Sequence, residues 1–315
     1  MSPRLTIEGI IAAATQRSPI KAAWVHPVSA HVIGSILRCV ELGLAKPILV
    51  GPAERILRAA DEAGVSISGF EIVSTGHSHE AAEVACRLAA DGEVDVLVKG
   101  SLSTDELMSV VLFRKSGLRT ERRLSHVWAM EVTTYSKLLL ITDAAINVMP
   151  TLMQKRDIVQ NSIDLAHAIG IDNPMVAILS AMEFVKPEVP STLDAAALCK
   201  MADRGQIHGA VLDGPLAFDT AISSSSAAEK GLHSPIAGQA DIFVVPDLEA
   251  GNIMAKQLSY LGNAVSAGLV MGARVPIVLT SRSETEKGRV ASVAIAALYH
   301  HFLSESAPCK PISLP

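Results

Sequence analysis

The chain has 315 residues, of which 49% are apolar and 19% charged, enough to bury sheets between helices and too apolar for disorder. Its 27 basic and 32 acidic residues leave a formal charge of -5, and aromatics make up only 3%, which disfavours a nucleic-acid surface or a base-stacking platform. Cys39, Cys86, Cys199 and Cys309 stand far apart with no CxxC pair, so they read as reduced thiols and not as zinc ligands. The first eight residues carry no basic segment followed by an apolar run, and no apolar stretch approaches the ~20 residues of a membrane span. A cytoplasmic chain of two domains, with no membrane or nucleic-acid partner, is the expectation.

Along the chain, short apolar runs alternate with stretches of helical periodicity. Strands are predicted over residues 22–26 and 47–50, after which His77-Ser78-His79 forms a polar turn that offers two metal-type ligands and no third. The run at 94–98 is the next predicted strand and opens into Lys99-Gly-Ser-Leu-Ser-Thr104-Asp-Glu106. Two readings fit this loop: Lys99 and the loop amides hold a phosphate, or the loop is a helix cap with a surface lysine. It lacks the GxxxxGK[ST] order of a nucleotide-triphosphate loop. Strands follow at 126–130 and 137–141, and Pro150 marks a domain boundary. Residues 151–170 form a helix, with Leu152, Val159, Ile163, Ala166 and Ile169 near one face and Gly170 where a C-cap belongs.

A second series of strands occupies 175–179, 209–212 and 242–245. The last of these runs into Pro246-Asp-Leu-Glu-Ala-Gly-Asn252, whose glycine allows close approach of a backbone or ligand. A final strand at 275–279 stops at Thr280-Ser281-Arg282-Ser283-Glu284 and enters a long helix. Strand ends of this kind seat ligands in α/β enzymes: helix amides favour an anion and Arg282 adds a bidentate grip. The same spacing, Ser281 with Glu284 or Ser283 with Glu286, also suits a capping box. The strands are mostly continuous Val/Ile/Leu runs, the signature of parallel sheets covered on both faces. The class is therefore α/β, with a first domain of residues 1–149 plus 273–315 and a second of 150–272.

An ordered set of segments resembles the phosphate acetyltransferase and phosphate butyryltransferase family over nearly the whole chain. They are LVKGSLSTDELM at 97–108, GLRTERRLSH at 117–126, ITDAAIN at 141–147, SPIAGQAD at 234–241, PDLEAGN at 246–252 and LTSR at 279–282, with the acetyl-type domain the nearest in flavour. The resemblance implies two α/β/α domains with largely parallel sheets, like isocitrate and isopropylmalate dehydrogenases, an active-site cleft between the domains, and a homodimer. It implies direct transfer, with phosphate attacking the thioester carbonyl of acyl-CoA to give acyl phosphate. Coenzyme A is then a substrate, no cofactor is tightly bound and no metal is required.

On the same footing Arg282 matches the phosphate-binding arginine, Ser281 the donor to the acyl oxygen, and Glu284 is the candidate base with Glu286 in reserve. Lys99, Thr104, Ser125 and His126 match cleft-lining positions, while Asn147 and Asn252 orient substrate or the opposing wall. The chain departs from the family in two places. Gly288 and Lys287 stand where relatives carry an acid, and Met108 stands near a CoA-binding arginine, a role that Arg119, Arg122 or Arg123 would then take. These departures keep a catalytically silent CoA-binding homologue in view. A nicotinamide-dependent dehydrogenase is disfavoured, since the sequence shows no GxGxxG and no evident carboxylate cluster for a metal.

Overall fold

The computed structural model describes residues 4–280 and 284–305. Residues 8–122 and the described residues from 267 onward fold into one compact unit, while residues 4–7 and 123–266 fold into another. The apolar pattern groups the strands around 126–141 with the first series. In the structure they fall with the second, because the strand at 139–142 hydrogen-bonds along the one at 242–244.

The first unit opens with α1 (Ile7–Ala14), β1 (Ile20–Val25), α2 (Ala30–Glu41), β2 (Ala45–Gly51), α3 (Ala53–Ala63), β3 (Glu71–Ser74), α4 (Ser78–Ala90), β4 (Val96–Lys99) and α5 (Thr104–Leu112). The chain then passes through the other unit: β5 (Ser125–Glu131), β6 (Leu139–Thr142), α6 (Leu152–Ala168), β7 (Met175–Leu179), α7 (Pro190–Asp203), β8 (Val211–Leu216), α8 (Phe218–Ile222), α9 (Ser224–Glu229), β9 (Ile242–Val244) and α10 (Leu248–Tyr260). It closes with β10 (Val265–Met271), β11 (Ile277–Val278) and α11 (Glu286–Glu305).

In the first unit the strands lie in the order β3-β2-β1-β4-β11-β10, parallel except where β10 runs against β11. From β1 the chain winds outward through β2 and β3, then returns to β4 on the other side of β1. The carboxyl ends of β1 and β4 thus flank a topological switch point, where open α/β sheets receive ligands. Every residue of β4 is buried, as a strand covered by helices on both faces requires.

The other unit has the order β5-β6-β9-β7-β8, with β5 antiparallel to β6 and the rest parallel. Its core gathers Phe243, Ile141, Ala177, Leu179, Leu216 and Met130. Helix α6 bears out the predicted helix: Thr151 and Gln154 close a capping box, and Gly170 follows the C-cap Ile169 with φ +94°, the left-handed conformation glycine adopts without a Cβ clash. No helix among the described residues is long and apolar enough to cross a membrane.

Candidate active site

The switch point of the first unit is built by close backbone approach. The amide of Gly100 donates to the carbonyl of Val25 at 2.9 Å and that of Ser101 to His26 at 2.8 Å, tying the end of β4 to the end of β1. These two amides are thereby occupied internally, so the loop offers fewer donors to an anion than its sequence suggests. Ser103 caps α5 by accepting from the Glu106 amide at 3.0 Å, which realises the capping reading, and Thr104 opens the helix in a half-buried position. Lys99 is no surface lysine: it is 5% exposed, and its Nζ donates to the carbonyls of Leu102 at 3.1 Å and Gly100 at 3.4 Å.

Strand β11 runs parallel beside β4 with Val278 opposite Val98, so Lys99 and Leu279 leave the sheet side by side. Ser281 and Arg282 lie outside the described residues; Thr280 and Glu284 flank them. Thr280, Lys99, Ser35 and Arg289 border one void of about 10 Å³, room for about one water. Glu284 is half-buried, and its carbonyl accepts from Arg289 Nη1. The start of α11 is capped by Thr285, whose hydroxyl accepts from the Gly288 amide at 3.1 Å, while Lys287 pairs with Glu8 at 2.8 Å. Met108 is buried in α5.

The second group of sequence-derived residues collects in the other unit, around the end of β6. Asp143 is buried and accepts from the amides of Ala145, Ile146 and Asn147 and from the Asn147 side chain. Burial still holds its carboxyl above the ordinary carboxylate range, against those hydrogen bonds. Asn147 also donates to the Leu124 carbonyl at 2.9 Å, and its Oδ1 accepts from Arg123 Nε at 2.6 Å. Asn252 donates to the Ala144 carbonyl at 3.2 Å, bracing the same turn. Ser125 is fully buried and accepts from Asn161 at 2.8 Å.

His126 is 1% exposed, its Nδ1 has no partner among the described residues, and burial drives its pKa down to about 3. It meets the Trp128 ring edge-on with centroids 4.7 Å apart. A neutral ring in that setting shapes a wall and does not shuttle protons near neutral pH. Of the cations considered for CoA, Arg119 is exposed in the first unit. Arg123 has its orientation fixed through Nε, which donates to Asn147 Oδ1. Among the described residues no group of three or more His, Cys, Asp or Glu side chains is arranged to hold a metal ion.

Sequence reasoning alone does not single out Arg289, Ser35 or Asp143. A legible signal exists for Arg289, since a cation in the opening turns of a helix opposes the macrodipole. Ser35 and Asp143 have none, because each matters only through partners that the fold supplies.

The family model for phosphate acetyl/butaryl transferase matches residues 75–297. A phosphate acetyltransferase of Rhizobium meliloti is 54% identical over 290 residues, 92% of each chain. A phosphate butyryltransferase of Clostridium acetobutylicum is 44% identical over 256 residues, 81% of this chain and 85% of that one. A crystal structure of a branched-chain phosphotransacylase from Enterococcus faecalis V583 superposes with a TM-score of 0.78 at 29% identity, covering 90% of this chain and 99% of that one. An α/β protein with a lysine buried beside the switch point of a parallel sheet, matched at this level, is an acyltransferase. The chain belongs to the phosphate acetyl/butyryl transferase family.

Proposed function

We propose that this chain is a phosphate acetyltransferase: inorganic phosphate attacks the carbonyl of acetyl-CoA, CoA leaves as thiolate, and acetyl phosphate is released. The observation that carries this reading is the 54% identity to a phosphate acetyltransferase across 92% of both chains. In the roles we assign, Arg282 neutralises the attacking phosphate and Ser281 donates to the acyl oxygen as charge builds on it, a donor worth about 3 kcal/mol in such settings. Glu284 serves as base. Lys99 adds positive charge beside the same strand end, supported by its burial at the tip of β4. Thr104, Ser125, His126, Asn147 and Asn252 line or brace the substrate site, and the tight packing of Asn147 and Asn252 around the 143–147 turn supports bracing more than direct contact. Coenzyme A and phosphate are substrates, with no tightly bound cofactor, and we assign a cytoplasmic homodimer.

Phosphate butyryltransferase activity is the second reading, favoured by the Clostridium acetobutylicum relative. Acetyl and butyryl differ by two methylenes, each worth about 1–3 kcal/mol in a fitted pocket. Purified protein given phosphate with acetyl-, propionyl- or butyryl-CoA should liberate free thiol with kcat/KM highest for acetyl. A reversed order would select the butyryl reading, and no thiol from any of the three would leave a CoA-binding homologue without turnover. Arg282→Ala should raise KM for phosphate and lower kcat; unchanged kinetics would remove Arg282 from the site.

A further inference from the structure

Helix α10 is held to its own unit by a narrow inner face. Of its 13 residues only Gly251 and Ala255 are buried. The contact there is close: a Cβ on Gly251 would stand 2.7 Å from Val245 Cγ2 and 3.0 Å from Ala144 Cβ, and Asn252 donates to the Ala144 carbonyl at 3.2 Å. The side turned away carries one row, Glu249, Ile253, Lys256 and Tyr260, at the i, i+4, i+7, i+11 spacing of a single helical face. All four are exposed. A helix that meets only water on its outer side carries polar residues there, yet here Ile253 and Tyr260 alternate with the two charges, and Leu261 follows the last turn. The Leu248 amide donates to the Val148 carbonyl at 3.1 Å, which lays Val148 and Met149 beside the first turn of the same helix. These five apolar side chains, Val148, Met149, Ile253, Tyr260 and Leu261, are 63% to 84% exposed, a cluster of the kind that marks an interaction surface.

The row is complementary to itself. Glu249 lies four residues before Ile253 and Lys256 three after it, about 6 Å and about 4.5 Å along the helix axis. Two α10 helices packed antiparallel and crossing at Ile253 therefore bring Glu249 of each copy level with Lys256 of the other to within about 1.5 Å along the axis. The same arrangement carries Tyr260 and Leu261 past the first turn of the second helix, toward Val148 and Met149 of that copy. Parallel pairing would instead set Glu249 on Glu249 and Lys256 on Lys256. One acid and one base on the row offer no net charge to a polyanion, so a nucleic acid or an anionic lipid surface fits it poorly. The five apolar side chains present on the order of 500 Å², more than half of the ~800 Å² that each partner gives to a standard interface, with the polar rim still to be added. We propose that the outer row of α10, together with Val148 and Met149, is the face through which two copies of this chain associate, their helices antiparallel about a two-fold axis at Ile253. The homodimeric reading above, on which this rests, thereby gains a surface and a register.

Sedimentation equilibrium gives the dimer Kd for wild type, Ile253→Asp, Tyr260→Asp, Glu249→Lys, Lys256→Glu and the double reversal Glu249→Lys with Lys256→Glu. An isologous contact presents every substitution twice, so Ile253→Asp places two carboxylates face to face on the axis and should raise the Kd by on the order of 100-fold. Tyr260→Asp should act in the same direction. Each single charge reversal creates two like-charged pairs and should raise the Kd by on the order of 10-fold. The double reversal restores opposite charges across the axis and should return the Kd close to the wild-type value, a coupling that independent surface positions would not show.

Wild-type protein that sediments as a monomer overturns the proposal. A dimer undisturbed by both Ile253→Asp and Tyr260→Asp overturns it too, since its interface then lies elsewhere, and a double reversal no tighter than the single ones refutes the antiparallel register. The substituted positions are exposed, and far-UV circular dichroism checks the fold of each variant; should Ile253→Asp fail to fold, the charge reversals decide on their own. Sedimentation is read without turnover. A dimer that dissociates in Ile253→Asp supports the interface even where the wild type releases no thiol and the acetyltransferase reading falls, whereas a wild-type monomer that releases thiol would sink the interface and leave that reading standing.

Discussion

Gly100 is the position where the fold and the proposed chemistry meet most tightly. A Cβ built there would stand 2.5 Å from the Val25 carbonyl oxygen, 2.7 Å from that of His26 and 2.8 Å from the His26 carbonyl carbon. All three are backbone atoms of the β1 end, so no side chain can swing aside. Restoring ordinary contact demands a separation of roughly 1 Å between the strand ends, which stretches the Gly100–Val25 and Ser101–His26 hydrogen bonds together. Overpacking of about 1–3 kcal/mol, with about 1 kcal/mol for each of the two weakened bonds, gives a cost for Gly100→Ala of about 3–5 kcal/mol. At about 2–4 °C per kcal/mol for units of this size, Tm should fall by roughly 6–20 °C. Lys99 immediately precedes the displaced residue, so kcat/KM for thiol release should fall by on the order of 100-fold even well below the new Tm. Thermal unfolding and a thiol-release assay on the same preparation measure both. Gly100→Ala with unchanged Tm and unchanged kcat/KM would refute the argument that the β1–β4 junction is closed and that Lys99 depends on it.

His126 gives a pH prediction whose sign follows from its depressed pKa of about 3 in the folded state, against an ordinary value of 6.5. Between those values the unfolded chain takes up a proton that the folded chain refuses, so stability falls as pH drops through the window, by about 1.4 kcal/mol per pH unit. In His126→Phe that component vanishes, and urea midpoints measured from about pH 7 to pH 4 should slope less steeply than in wild type; identical slopes would show that the ring is not buried neutral. Thr151→Ala removes the hydroxyl half of the α6 capping box and should cost about 1 kcal/mol, a Tm loss of about 2–4 °C, while leaving kcat and both KM values untouched. A kinetic change in that variant would tie α6 to the site and end its role as scaffold alone.

The strands legible in the sequence are those with continuous apolar runs, such as 175–179, which coincides with β7, and 126–130, which lies within β5. The strands that such a pattern misses lack that signature. β3 is Glu-Ile-Val-Ser, an edge strand with exposed ends, and β10 is Val-Ser-Ala-Gly-Leu-Val-Met, whose small and polar residues mask a strand that is buried almost throughout. The run at 275–279 shrinks to β11 at Ile277–Val278, because Pro276 lacks an amide for the ladder and its ring constrains the residue before it. Lys99 illustrates the opposite limit. Spacing alone leaves it open between a phosphate ligand and a surface lysine, and only the depth of β4, a tertiary property, removes the second choice.

Helix α11 shows how a broken local rule can be used once the fold is known. Lys287 and Arg289 both stand in its opening turns, against the dipole. For Lys287 the structure supplies an answer in Glu8, 2.8 Å away with a side chain 79% exposed; a solvated pair of that kind contributes little, enough to offset a small local penalty and to carry no further meaning. Arg289 takes a different course, reaching inward to the Ser35 hydroxyl and the backbone carbonyl of Glu284. Two cations that look equivalent in sequence thus separate by what they grip. The inward-reaching cation is the one whose loss should be felt in stability, Arg289→Ala lowering Tm while Lys287→Ala leaves Tm nearly unchanged.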